Sequence, residues 1–356
     1  MEKGTISILF VDAVLQGLRD RGFDADELLE QIGLSPSLLN LPHARVSPPT
    51  YTMLLRLIAQ VLDDEFFGHD SRRMKVGSFA MMCHSVIHCR TLDRALKRSL
   101  RFFALMLDDL RGTLSRGEGG TIVLTLLPAD PGRPARVFAQ ETLLMFVHRL
   151  ACWLVNRRIP ILRASFAYPE PPQAAEYPLM FTSELRFDQP RTEIAMDGKY
   201  CALPVVRTAE SLRDFLSVAP GNLLVQYKDS NSLAAQIQRR LRELPPSEWP
   251  GFDQIADDMR TSASTLRRRM EAEGQSYQAI KDHLRRDMAI NLLSDSAMSV
   301  MDIAAELGFA ETSAFHRAFK KWTGANPGEY RRSVCSPARS TLSRSTGEGG
   351  TREAGG

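Results

Sequence analysis

Apolar residues recur at helical spacing along most of this chain, and the breaks in that rhythm divide it. Leu15 to Leu34 alternates helix, Gly stop and restart, so residues 1–47 read as short helices. Pro48 and Pro49 open a helix that runs through Leu62 on a stripe of Leu54, Leu55, Ile58 and Leu62. Residues 74–90 and 92–107 read as two more helices, the second with Thr91 as its N-cap. The pattern then turns β-rich. Leu110–Ser115 and Thr121–Leu127 flank the Gly-rich stretch Arg116 to Gly120, a hairpin signal. Pro134–Val155 reads as a long helix, Ile161–Tyr168 as a strand and Pro169–Pro178 as a Pro-rich loop. Glu184–Asp188 and Glu193–Met196 read as a second hairpin. Helices followed by antiparallel strands predict an α+β domain.

Beyond a helix and connector over 203–232, broken at Pro220 to Asn222, the pattern is wholly helical. Phe252, Ile255, Ala256 and Met259 share one face. Ser262 is a natural N-cap for a helix that buries Leu266 and Met270 and stops at Gly274. Its outward stripe is Ser264, Arg267, Arg268 and Glu271. One long helix, Tyr277–Leu293, follows with Ile280, Leu284, Met288 and Leu292 as its core face. Ser299 and Asp302 then form a capping box ahead of Val300, Ile303, Ala304 and Leu307, and Gly308 ends that helix. The next helix turns Phe315, Phe319 and Trp322 inward and leaves Thr312, Ser313, His316 and Arg317 outward, with Lys320 and Lys321 behind them. Gly324 stops it, and a buried Tyr330 follows Pro327.

Each pair is a helix-turn-helix by layout. Taken singly, either is also an ordinary amphipathic hairpin with a solvated charged face. Two of them in register carry more weight. Arg267 and Arg317 stand 50 residues apart on matching faces. A rigid connecting helix can set two recognition helices about one DNA turn apart, ~34 Å, for one chain to read. Polar groups first and cations after is what a major groove accepts: base edges, then phosphates.

Residues 229–332 resemble the DNA-binding module of the AraC/XylS family of bacterial transcription regulators. The resemblance is carried by Ile255-Ala256, Ser262, Leu266 to Arg268, the Gly274 region and Arg285 to Leu293. It continues through Ile303-Ala304, Leu307 to Phe309, Ser313, Phe315, Arg317, Phe319-Lys320 and Gly324, Pro327, Tyr330 and Arg331. More weakly, residues 10–215 resemble the arabinose-binding-type N-terminal domain of one branch of that family, through Gly77, Thr91-Leu92, Ala95-Leu96, Glu141 and Leu185 to Phe187. The resemblance implies a small effector, not necessarily arabinose, and frequent dimerisation.

The expected fold is therefore an α+β N-terminal effector domain followed by an all-α DNA-binding domain with two helix-turn-helix units. Residues 1–215 would bind effector and dimerise, and 216–232 connect. Residues 233–332 would bind DNA, and 333–356, Ser/Gly/Thr-rich and poor in large apolar side chains, form a disordered tail. Few contacts are expected across the connector. Arg267, Arg268 and Arg317 are candidate base readers, assisted by Ser264, Thr312, Ser313 and His316. Lys320, Lys321 and Arg331 are phosphate-side positions. Glu141 is a candidate effector contact, with a cap or ion-pair role as the plainer reading. Promoter DNA, a small effector, RNA polymerase and a second copy are the expected partners, with no cofactor.

Charge refines this little. Formal net charge is only +3 over 356 residues, and 228–332 carries 16 Lys+Arg against 15 Asp+Glu. Local placement must carry DNA binding: 311–332 is net +3. The five cysteines (Cys83, Cys89, Cys152, Cys201 and Cys335) form no C-x-x-C and no disulfide-like spacing. With no signal-peptide pattern at the start and no long apolar run, a reducing cytoplasm is the expected compartment. One rival chemistry stands out. His84 and His88 sit four residues apart between Cys83 and Cys89, which on a helix would put two imidazoles on one zinc or copper ion. A packed helix with small buried cysteines is the plainer account. No catalytic motif is present, and His43, His69, His148 and His283 are scattered, so no enzyme is expected.

Overall fold

A computed structural model describes residues 5–130, 132, 134–224, 233–272, 276–295 and 297–334. A two-residue strand, β1 (Ile6–Ser7), leads into α1 (Ile8–Arg19), and Ser7 caps that helix by accepting from the Leu9 amide. α2 (Ala25–Gln31) follows, capped by Asp24. β2 (Arg45–Val46) returns antiparallel to β1. α3 (Pro48–Leu62) begins where the Pro pair predicts, with Ser47 accepting from the Thr50 amide. α4 (Ser78–Val86) and α5 (Leu92–Met106) complete the first helical layer.

β3 (Leu110–Arg116) and β4 (Thr121–Pro128) form the expected hairpin. α6 (Val137–Leu154) has 14 of its 18 residues buried, so it is a central helix and not a surface one. β5 (Ile161–Ser165), α7 (Tyr177–Met180), β6 (Leu185–Arg186) and β7 (Thr192–Asp197) follow. The sheet order is β3-β4-β7-β5-β6. Here one expectation fails: the second hairpin does not exist. β7 runs between β4 and β5, antiparallel to both, and β6 pairs parallel with β5. Ile194, Ala195 and Met196 are buried on both faces, which suits an interior strand, whereas the short, partly exposed β6 suits an edge. α8 (Ala209–Ser217) and the one-turn α9 (Gly221–Leu224) close this half.

The C-terminal half is all helix: α10 (Leu233–Arg242), α11 (Phe252–Asp258), α12 (Ala263–Ala272), α13 (Tyr277–Asp295), α14 (Val300–Glu306), α15 (Thr312–Thr323) and α16 (Pro327–Val334). The α+β half followed by an all-α half is thus as expected. α16 reaches Val334, two residues into the stretch assigned to the tail. Residues 335–356, Cys335 among them, the 225–232 part of the connector and the Gly274 helix stop lie outside the described residues.

The two helix-turn-helix units differ in how they are buried. The first has its own core, built on Leu233, Ile237, Leu241, Trp249, Leu266 and Ile280. The second shares one continuous core with the N-terminal half, through Ile290, Leu293, Phe315, Phe319 and Tyr330. Contacts across the connector are therefore not few, contrary to expectation. The polar centre of this junction is Arg45, only 7% exposed. Its Nε donates to Thr5 Oγ1 at 2.7 Å and its Nη2 to the Thr5 carbonyl at 2.7 Å. Nη1 and Nη2 donate to the two carboxylate oxygens of Glu176 at 2.5 and 3.0 Å. The Thr5 hydroxyl in turn donates to Asp287 of α13 at 2.6 Å, and the Ser35 amide donates to the Ser333 carbonyl of α16 at 2.6 Å. Sequence periodicity hides such a junction, because each residue in it reads as an isolated polar position. Arg45→Met keeps the stem's volume and strands Glu176 without its cation. It is expected to cost about 3–5 kcal/mol, the range for removing one partner of a buried pair. Denaturant unfolding of the two full-length proteins measures it, and a loss under ~1 kcal/mol, the worth of an exposed pair, would show the fork to be solvated.

Candidate DNA interface and effector cavity

The outward stripes emerge largely as the periodicity predicts. In α12, Leu266 and Met270 are buried while Ser264, Arg267 and Arg268 are exposed. In α15, Phe315 and Phe319 are buried, Ser313, Arg317, Lys320 and Lys321 are exposed, and Thr312 and His316 are half-buried. Both stripes remain uncovered even though the second unit packs against the N-terminal half. Two side chains are already engaged. The Arg267 guanidinium lies 5.2 Å from the Phe252 ring centre, and the Ser313 hydroxyl donates to Glu311 at 2.9 Å. Arg331 does not join the stripe. Its Nε and Nη2 are buried without a hydrogen-bond partner, so this arrangement does not present it to a phosphate.

Three local devices hold the helices. Ser262 accepts from the Thr265 amide at 3.3 Å to start α12. Ser299 and Asp302 form the reciprocal capping box that starts α14. Gly308 turns between α14 and α15 at φ +72°, and a Cβ there would meet the Pro246 carbonyl oxygen at 2.9 Å. Only glycine serves, for both reasons. A fourth device went unread in the sequence. The Arg285 guanidinium of α13 lies between the rings of Trp249 (5.1 Å) and Phe309 (5.3 Å), and its Nε donates to the Leu307 carbonyl at 3.0 Å. Trp249 belongs to the first unit and Leu307-Phe309 to the second, so one cation ties the two together.

The second site lies inside the N-terminal half. Ile6, Phe10, Tyr51, Phe138, Thr142, Met145, Met180 and Leu224 of α9 line a partly open cavity of about 20 Å³. That volume holds one water-sized group. Glu141 of α6 projects into it and is 2% exposed. Tyr177 OH and Gln173 Nε2 both donate to its Oε1, the latter at 3.0 Å. Oε2 is buried with no partner. Burial pushes the Glu141 pKa up to about 7, against the two hydrogen bonds, which act to lower it. The plainer readings, a cap or an ion pair, do not describe this residue. No periodicity marks Gln173 and Tyr177, because they fall in the Pro-rich 169–178 stretch, where short helices form in place of the expected loop.

The metal reading loses its geometry. α4 ends at Val86, so His88 is not one helical turn beyond His84. The cysteines turn inward, at 0% and 7% exposure, while both histidines face solvent. Burial pushes the Cys83 thiol far up, which opposes thiolate ligation. Among the described residues no group of three or more His, Cys, Asp or Glu side chains could hold an ion.

A family model described as the arabinose-binding domain of AraC transcription regulator, N-terminal, matches residues 22–205, and a helix-turn-helix domain model matches residues 255–333. The ornithine utilization regulator of Pseudomonas aeruginosa is 26% identical over 336 residues, spanning 92% of this chain and 96% of that protein. The regulator VirS of Mycobacterium tuberculosis is 23% identical over 317 residues, spanning 88% and 92%. Among solved structures, the transcriptional regulator CdpR from Pseudomonas aeruginosa aligns over 91% of this chain and 98% of its own, at 18% identity and a TM-score of 0.31.

The buried carboxyl gives a pH prediction. Unfolded, Glu141 ionises near its ordinary value of 4.5; folded, near 7. The folded chain therefore holds this proton more tightly. The stability so gained is full below pH 4.5 and is lost as pH rises through 7. Glu141→Gln has no such loss. It should match the wild type near pH 4.5 and exceed it at pH 8 by on the order of 3 kcal/mol. Denaturant midpoints at the two pH values test this; an equal difference at both would show that Glu141 does not titrate in that window.

Proposed function

This chain belongs to the AraC family of transcription regulators, with an N-terminal ligand-binding domain and a C-terminal helix-turn-helix DNA-binding domain, and we propose how its residues divide the work. The observation that carries the reading is the pair of outward basic stripes, each on a helix whose opposite face is buried. Arg267 and Arg268 of α12 and Arg317 of α15 read base edges. Ser264, Thr312, Ser313 and His316 assist, and Lys320 and Lys321 anchor phosphates. Arg267 leaves the Phe252 ring to do so.

The Glu141 cavity is the effector site in this reading. A few polar groups, here Glu141 with Thr142 and Tyr51, in a mainly apolar pocket are what a small-molecule site requires. Its walls adjoin the junction with the DNA-binding half. Ile6, in the wall, follows Thr5, and Tyr177, which donates to Glu141, follows Glu176, so a ligand that moves Ile6 or Glu141 acts on a partner of Arg45. Effector binding would then act on α13 through Asp287. The boundary between the halves lies at 216–232. A second copy of the chain and RNA polymerase complete the partners, in the cytoplasm. The protein acts by binding and not by catalysis, as its relatives are regulators. No helix among the described residues is long and apolar enough to cross a membrane.

Two substitutions in α15 test the division of labour. Arg317→Ala should cost about 1–3 kcal/mol on operator DNA and relax preference at one or two base pairs. Lys321→Ala should weaken operator and scrambled DNA alike and lower the salt slope by about one unit. Binding curves on both DNAs at several salt concentrations measure both. An equal loss on the two DNAs for Arg317→Ala would make that arginine a phosphate clamp.

A further inference from the structure

Buried and half-buried carboxylates elsewhere in this chain set a standard that Glu141 fails. Asp64 Oδ1 accepts from the amides of Phe66 and Met74, and Oδ2 from that of Gly68, each at 2.9 Å. Glu65 takes the amides of Gly77 (2.9 Å) and Phe79 (2.7 Å), one on each oxygen. Asp70 takes those of Arg72 and Asp108 on one oxygen and Asp109 on the other. Glu176 faces the Arg45 fork. In each case both oxygens are served. Among the described residues, Glu141 Oε2 is the one buried carboxylate oxygen without a partner. A buried acceptor left unpaired costs about 1–3 kcal/mol, and more when charged. It persists where something else completes it.

What completes it can be read from the neighbours. Tyr177 and Gln173 both donate to Oε1, so Oε2 carries the proton when Glu141 is neutral and a charge that no neighbour compensates when it is ionised. Neither brings a positive charge, and no cationic side chain acts on Glu141. A cationic donor at Oε2 would replace that proton and compensate the charge its loss leaves. The space beside Glu141 is about 20 Å³, the size of one ammonium group, and apart from Thr142 and the Tyr51 hydroxyl the side chains around it are apolar. Met145 and Met180 are the flexible side chains that can make way for a ligand body. We propose that the effector is a small molecule bearing a protonated amine on an apolar body, whose ammonium group donates to Glu141 Oε2. The proposal rests on the cavity being the effector site and adds the ligand's chemical class.

The test uses the full-length chain with three probes of one length: n-butylammonium chloride, n-butanol and sodium butyrate, each against matched sodium chloride. Butylammonium should raise the melting temperature, because it binds the folded state alone. Butanol and butyrate should not. Glu141→Gln, which keeps the shape and loses the charge, should weaken the apparent affinity for butylammonium at least about tenfold. Calorimetry at pH 7 in two buffers of different ionisation heat adds an independent readout. The ammonium group should drive Glu141 to ionise, so binding should release protons from the wild type. That measurement decides even where the variant does not fold. If butanol or butyrate shifts the wild type and Glu141→Gln alters that shift, the cavity stands as the site and the amine class is wrong. If no probe shifts the wild type, or butylammonium shifts both proteins alike without proton release, the cavity assignment falls together with the class.

Discussion

One guanidinium organises the junction on which this molecule depends. A buried arginine must place its donors, and Arg45 places them on Thr5 and on both oxygens of Glu176. The strands it joins are two residues long and would not hold by pairing alone. The fork therefore positions β1, β2 and the 174–180 segment, and through the Thr5 hydroxyl it reaches Asp287 on α13. Cavity and DNA-binding helices are separated in sequence by a whole connector, yet in space they share these few side chains.

That sharing matters because a ligand can shift an equilibrium only by its differential affinity for two states. The cavity has room for one water-sized group. Larger occupants require movement of Ile6, Met180 or Leu224. Leu224 sits on α9, which is pinned from two sides: Gly221 lies so close to Thr52 that a Cβ would stand 2.4 Å from its hydroxyl oxygen, and Arg56 donates to the carbonyls of Ala219 and Ser217. Ile6 adjoins Thr5, and Met180 ends the α7 turn that follows Glu176. Opening the cavity without disturbing the junction would thus require α9 to yield first.

Much of this was readable beforehand, for a physical reason in each case. Helices with a period and a cap, such as Pro48–Leu62 with Ser47 or Val300–Glu306 with Ser299 and Asp302, declare themselves locally. So do the basic stripes, since exposure of Arg317 follows from burial of Phe315 and Phe319. Strand order does not. The run Thr192–Asp197 reads the same whether it pairs with Leu185–Arg186 or inserts between β4 and β5, and only the tertiary core decides. Long-range polar partners were invisible as well. Glu141 could be singled out, but not the Tyr177 and Gln173 that hold it, because no periodicity marks a side chain in a Pro-rich stretch. Arg331 shows the converse failure: a cation near a recognition helix, with two of its nitrogens turned inward.

Reading DNA with two units places a demand on what lies between them. α13 has 19 residues, on the order of 28 Å of helix, comparable to one turn of the duplex. A helix alone fixes the spacing of its ends but not the rotation of what is attached to them. Arg285 supplies that restraint by lying between Trp249 of the first unit and Phe309 of the second. Gly308 supplies it a second time, since the α14–α15 turn closes to contact distance on the Pro246 backbone. The first unit has a core of its own, while the second is continuous with the N-terminal half. The attachment to the cavity is therefore asymmetric. A shift at the Arg45 junction meets the second unit directly, and reaches the first through Arg285, Gly308 and the length of α13.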